Sequence, residues 1–254
     1  MPELDARTLA CINLYAVLGA LENLCEIDGE ARRLASVRKP ISVGFDVKDG
    51  PSATLTFQEG KCTLREGCRD CTIRLPFSSC EKFNGLIDGT VTPVPSRGFL
   101  HIGFLLGRFT KLTDLLTRYL KAPAEELTDP EFKEKSTTLM FYVIVAALSQ
   151  IGNEDFIGRF SASHIVDGIV QLSVKGGPCA GIRVKDGHME TVKRRPKKPR
   201  AVMEFESMEL ARRLFDGDVN SVACIGTGEI RMGGMISMVD NINRILDRVS
   251  VYLA

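Results

Sequence analysis

The chain has almost no net charge: 33 lysines and arginines against 32 aspartates and glutamates leave +1 over 254 residues. That balance argues against a general nucleic-acid-binding or cationic membrane-surface protein. A long hydrophobic run is also missing. Leu139 to Leu148 is uninterrupted and reaches Ile151 only through Ser149 and Gln150, short of the ~20 apolar residues that span a bilayer. The apolar stretch around Leu9 to Leu24 contains Asn13, Glu22 and Asn23, and the MPELDAR before it has no basic n-region, so no signal peptide is expected. A cytoplasmic protein follows as the expectation. With 44% apolar and 26% charged residues, the composition is that of a folded globular chain and excludes disordered, collagen-like and coiled-coil classes.

Catalytic and metal-binding patterns are equally scarce. There is no GxSxG, no HExxH and no serine and histidine at a motif spacing, so no enzyme and no catalytic residue are expected. Gly176-Gly-Pro-Cys-Ala-Gly181 lacks the lysine-serine pair and helix of a phosphate loop and reads as a turn. The three histidines, His101, His164 and His188, are scattered. Among the eight cysteines, Cys62, Cys68, Cys71 and Cys80 cluster in sequence, and Cys68 and Cys71 form a CxxC. Structural zinc sites usually need two such pairs. Free, buried thiols are therefore the favoured reading, with a metal or redox protein kept as an alternative. No cofactor is expected.

What the chain does contain is a repeat. At an offset of 127, residues 12–60 pair with 139–187 without a gap, and fourteen of these 49 pairs are identical. The identities include Tyr15/Tyr142, Asp28/Asp155, Arg32/Arg159, Val47-Lys48/Val174-Lys175 and Gly50-Pro51/Gly177-Pro178. Further on, Asp88-Gly89 matches Asp216-Gly217 at offset 128, and Gly98 through Gly103 matches Gly228 through Gly233 at 130. A tandem duplication explains the constant offset. The two copies are placed at 1–125 and 126–254, with Lys121 to Lys135 as a linker or short exposed helix.

Each copy reads as the same order of elements. An apolar helix, near residues 8–25 and 136–151, is followed by a polar stretch. Short runs then alternate apolar and polar, as in Ile41-Val43-Phe45-Val47, Ala53-Leu55-Phe57 and Cys62-Leu64, with turns at Asp49-Gly50-Pro51 and Gln58-Glu59-Gly60, which predicts an antiparallel meander. A fourth strand, Cys71 to Phe77, precedes a helix capped by Ser78 or Ser79 and stopped at Gly89; Ser207 and Gly217 do the same in copy two. A fifth strand is expected at Gly98 to Phe104 and at Gly228 to Gly233, leading into a final amphipathic helix. The fold class is α+β, two tandem copies of a mostly antiparallel five-stranded sheet with helices on one face. Asp28 and Asp155 are expected to pair with Arg32 and Arg159 four residues on.

In this order of elements, and in the segments Ala53-Thr-Leu-Thr-Phe-Gln-Glu-Gly-Lys61 and Gly98-Phe-Leu-His-Ile-Gly103, each copy resembles the sterol carrier protein type 2 family. Copy two departs from the first segment, reading Gly181-Ile-Arg-Val-Lys-Asp-Gly187, and Thr90 to Arg97 carries prolines where the family has a short helical segment. The resemblance implies a non-enzymatic protein with an apolar tunnel between sheet and helices for lipids, fatty acyl chains or sterols. Walls of that kind need apolar residues with few unpaired polar groups. In copy one Phe57, Phe77, Phe83, Phe99, Ile102, Phe104, Phe109 and Leu112 are candidates. In copy two they are Met203, Phe205, Phe215, Met232, Met235 and Met238, with methionine supplying adaptable surface. The same residues could equally fill a solid core, which would make the chain a structural or assembly module. Lys193-Arg-Arg-Pro-Lys-Lys-Pro-Arg200 is the one strong charge run, an exposed loop and a candidate for transient contact with anionic headgroups. The expected partners are an apolar small molecule or lipid and no nucleic acid, with the chain a monomer or homodimer.

Overall fold

The computed structural model describes residues 4–219 and 221–253. It is α+β and divides into two compact units, 1–135 and 136–254. The division falls beyond residue 125 because Phe132 stacks on Tyr119 at 4.8 Å and Lys135 reaches Asp28, which ties this stretch to the first unit.

In the first unit a helical run, α1 (Ala6–Ile27), begins at Asp5, whose carboxylate accepts from the Thr8 amide at 2.9 Å. It winds as a π-helix over Ile12–Val17 and tightens into a 3-10 turn at Leu18–Ala20. The run is longer than its uninterrupted apolar part, and so is its counterpart α5 (Pro130–Glu154). Both are long and apolar enough to cross a membrane by length and composition, yet 78% and 67% of their apolar windows are buried inside the fold. Asp28 then caps α2 (Gly29–Ala35), accepting from the amides of Glu30 and Ala31.

The sheet follows: β1 (Ile41–Val47), β2 (Ser52–Gln58), β3 (Lys61–Glu66) and β4 (Ile73–Phe77), in the order β3-β2-β1-β4. β1, β2 and β3 form the expected antiparallel meander, and β4 lies parallel to β1. Glu59 and Gly60 both have positive φ, 51° and 79°, the two-residue hairpin geometry that suits the strand twist. Val43, Phe45, Ala53, Leu55, Phe57, Ile73 and Leu75 alternate onto one buried face. The opposite face is covered by the β3–β4 connection, where Cys68 and Cys71 sit over Gly44. A Cβ at residue 44 would lie 2.6 Å from Cys71 Sγ. Ser79 caps α3 (Cys80–Ile87), and Gly89 at φ 71° ends it. The final helix is α4 (Thr110–Leu120).

The second unit repeats the plan with α5, α6 (Phe156–Ser163), β5 (Gly168–Val174), β6 (Cys179–Lys185), β7 (His188–Val192), β8 (Ala201–Phe205), α7 (Met208–Phe215), α8 (Ser221–Gly226), β9 (Ile230–Gly234) and α9 (Ile236–Leu253). Its sheet has five strands, β7-β6-β5-β8-β9, with β9 antiparallel to β8.

The fifth strand expected in the first unit does not form. Gly98 takes φ 88°, Phe99–His101 makes a 3-10 turn and the chain is helical from Phe104. The cause lies on β4. Arg74 points its backbone outward, where its N–H bonds to Arg97 O and its C=O accepts from Ser96, and Pro76, two residues on, points the same way. Proline has no N–H to offer a neighbouring strand. The equivalent residue of the second unit, Glu204, faces Arg231 across the β8–β9 ladder.

Candidate apolar binding site

The inner face of the first sheet meets a row of phenylalanines. Phe57 lies 5.5 Å from Phe104 and 6.0 Å from Phe109, ring centre to ring centre. Phe109 continues to Phe45, Phe45 to Phe83, and Phe83 to Phe77 at 5.2 Å. Leu112 is buried beside them on α4. Phe104 and Phe109 reach the same ring because residues Phe104–Phe109 wind as a π-helix. Its i→i+5 bonding brings residues five apart onto one side, whereas 3.6 residues per turn would splay them.

Two of the expected wall residues are elsewhere. Phe99 is 62% and Ile102 41% exposed, because the absent strand leaves their segment on the surface. Phe45 is central to the row and was not among the expected walls; its alternation with Val43 and Val47 on β1 was the available signal.

In the second unit Met203, Phe205 and Met238 are buried, while Phe215, Met232 and Met235 are half-buried. Phe215 lies 6.3 Å from Phe205. Met189 is a further buried member. Its Sδ would lie only 2.1 Å from a Cβ at residue 152, so Gly152 on α5 is what admits it.

In each unit the last helix closes over this apolar face through a buried tyrosine. Tyr119 donates to Asp28 Oδ2 at 2.9 Å, and Tyr252 donates to Asp155 Oδ2 at 2.8 Å. A cation completes each cluster: Lys135 Nζ at 3.7 Å from Asp28, and Arg248 at 2.9 Å from Asp155. The expected Asp28–Arg32 pair is replaced by this arrangement; Arg32 instead donates to the carbonyls of Cys25 and Glu26. Burial alone would push both carboxyls up. For Asp28 the Ala31 amide, the Tyr119 hydroxyl and the Lys135 charge outweigh it, and for Asp155 Arg248, the Gly158 amide and Tyr252 do, so both lie below the usual aspartate range. Burial first, then the bond to Asp28, raises Tyr119.

The cysteine cluster does not converge. Cys62 faces the buried side of β3, Cys68 and Cys71 cover Gly44, and Cys80 packs at Gly50. All eight cysteines are free thiols. Among the described residues no three histidine, cysteine or acidic side chains gather as a metal site. The basic run Lys193–Arg200 covers the outer face of the second sheet, with Pro196 against Gly181 and Arg200 donating to Asp167 O at 2.6 Å. Arg194, Arg195, Lys197, Lys198 and Arg200 are exposed.

No family model matches the chain, and no curated protein matches it. Solved structures similar to it include a UbiJ-SCP2 ubiquinone synthesis protein, 16% identical with TM-score 0.32 over 41% of this chain and 90% of that one. The sterol carrier protein domain 2 of Helicoverpa armigera is 16% identical with TM-score 0.36 over 44% and 89%. Sterol carrier protein 2 from Yarrowia lipolytica, in its apo form, is 17% identical with TM-score 0.30 over 39% and 91%.

Proposed function

We propose that the chain is a non-enzymatic, cytoplasmic protein that binds or transfers a lipid, fatty acyl chain or other apolar molecule between sheet and helices. The observation that carries this reading is an apolar path of rings in the first unit. It runs from Phe104 and Phe109, each 8% exposed, to the fully buried Phe57. The path crosses a π-helical turn, a winding that recurs at functional sites. Parting that turn from the sheet disturbs ring contacts and the solvent-exposed bonds of Arg108 to the carbonyls of Leu34 and Ser36, which water can replace, rather than buried polar bonds. In the second unit, Met203, Met232, Met235 and Met238 supply adaptable walls. The exposed charges of Lys193–Arg200 suit transient contact with anionic headgroups, and serine replacements there weaken adsorption to anionic vesicles under this reading.

Native mass spectrometry of the purified protein, followed by organic extraction, tests the proposal. The expected result is an added mass that extracts as a fatty acid, sterol or phospholipid. A bare apo mass with no uptake of fluorescent acyl probes overturns it.

A second reading, a module that acts through its surface, is favoured by α6. Phe156, Ile157 and Phe160 are 87%, 49% and 63% exposed, yet the matching positions on α2 are Gly29, Glu30 and Arg33. The helix does not need apolar residues there to fold. Association that disappears in Phe156→Ser with Phe160→Ser supports this reading.

A further inference from the structure

We infer that the segment from Val94 to Lys111 is a docking element for an anionic lipid bilayer. Within it, Leu100 is 98%, Val94 72%, Leu106 69%, Phe99 62% and Ile102 41% exposed. So many large apolar side chains exposed in so short a stretch mark an interaction surface.

The second unit shows that the fold does not demand this. Its matching residues form β9, which pairs with β8, and Ile230, the counterpart of Leu100, is buried. In the first unit Pro76 leaves the outer edge of β4 without a donor at that point, and Gly98 turns the chain away. A Cβ at residue 98 would lie 2.3 Å from Thr72 O, so the turn sits tightly against the start of β4. The apolar residues are thereby held on a fixed base and presented outward.

Charge names the occupant. From Gly89 to Thr113 there is no acidic residue, while Arg97, Arg108 and Lys111 are all present, bounded by Asp88 and Asp114. All three cations are exposed. Arg108 is anchored by donating to the carbonyls of Leu34 and Ser36, which sets its charge beside the apolar group. Exposed apolar residues flanked by cations suit the boundary between headgroups and acyl chains of an anionic membrane. A soluble protein partner would need complementary acidic residues around an apolar pocket; an anionic bilayer supplies both features at once. The inference stands apart from ligand binding.

The chain has no tryptophan, so Leu100→Trp installs a single, selectively excitable indole at the most exposed of these positions. With vesicles of phosphatidylcholine containing about a third phosphatidylserine, its emission shifts to the blue and is quenched by brominated acyl chains, and pure phosphatidylcholine gives a much smaller change. In the unlabelled protein, Leu100→Ser with Leu106→Ser lowers the vesicle partition constant about a hundredfold or more, the loss expected on removing two inserted leucines. Arg97→Ser with Lys111→Ser weakens the preference for phosphatidylserine while leaving Arg108 and the Lys193–Arg200 run in place. Circular dichroism and acyl-probe uptake in solution stay as in the parent protein, which separates this result from failure of the carrier reading. Adsorption with no shift or quenching at position 100, as expected of docking through Lys193–Arg200 alone, overturns the inference. So does self-association abolished by the leucine replacements without vesicle binding, which assigns the surface to a second copy.

Discussion

Tyr119 donates its hydroxyl to Asp28 at 2.9 Å across 91 residues of chain, with both side chains buried. The same aspartate caps α2 through its other oxygen, so one side chain ties the second helix to the last. Tyr252 and Asp155 repeat the arrangement in the second unit, where Asp155 caps α6 through the Gly158 amide.

Removing the hydroxyl leaves a buried carboxylate short of one donor. Tyr119→Phe and Tyr252→Phe are each expected to cost about 1.5–3 kcal/mol, the range for hydrogen bonds to charged groups. Urea unfolding checks this. Either variant matching the parent midpoint would show that water replaces the tyrosine.

The same carboxyls set the acid limb of stability. Both are depressed in the folded state, so the folded protein binds fewer protons than the unfolded chain once the pH drops toward about 4, the unfolded aspartate value. Their stabilisation is present above that pH and is lost as the pH falls through the folded values. Denaturant midpoints measured from pH 7 down to 3 are expected to fall below about pH 4. Asp28→Asn with Asp155→Asn flattens that limb.

Glu204→Pro imports the first unit's obstacle into the second. It removes the donor facing Arg231 on β9 and is expected to cost about 1–3 kcal/mol for the orphaned partner. Hydrogen exchange reads the effect: amides of Ile230–Gly234 lose protection while those of β5 and β6 keep theirs.

Gly44→Ala tests the seating of the Cys68–Cys71 turn. The added methyl would meet Cys71 Sγ at 2.6 Å and the Cβ atoms of Cys71 and Cys68 at 2.9 and 3.0 Å, overpacking worth about 1–3 kcal/mol. The turn lifts, and both thiols react faster with an aromatic disulfide reagent. Adding Cys71→Ala recovers part of the lost stability.

Phe57→Ala truncates the ring shared by Phe104 and Phe109. A loss of about 3–5 kcal/mol is expected for a filled core. A smaller loss, together with uptake of an apolar probe into the enlarged space, indicates that the turn at Phe104–Phe109 adapts.

Local pattern determined much of this chain. The 127-residue offset exposed two related units, and period-two alternation placed β1, β2 and β3, because each sheet has one apolar face and each strand must match it. Serine caps and glycine stops marked α3 and α7, since the orphaned groups at helix ends need local partners. Tertiary structure decided the rest. Gly98 to Gly103 and Gly228 to Gly233 match in sequence, yet only the second pairs as a strand, because pairing depends on a donor at residue 76 or 204 of the neighbouring strand. The partners of Asp28 and Asp155 were equally hidden: Tyr119 and Tyr252 lie far along the chain, and only folding brings them within hydrogen-bonding distance. Exposure at Phe99 and Leu100 follows from the same cause, since a side chain's surroundings are set by what packs against it and not by its neighbours in sequence.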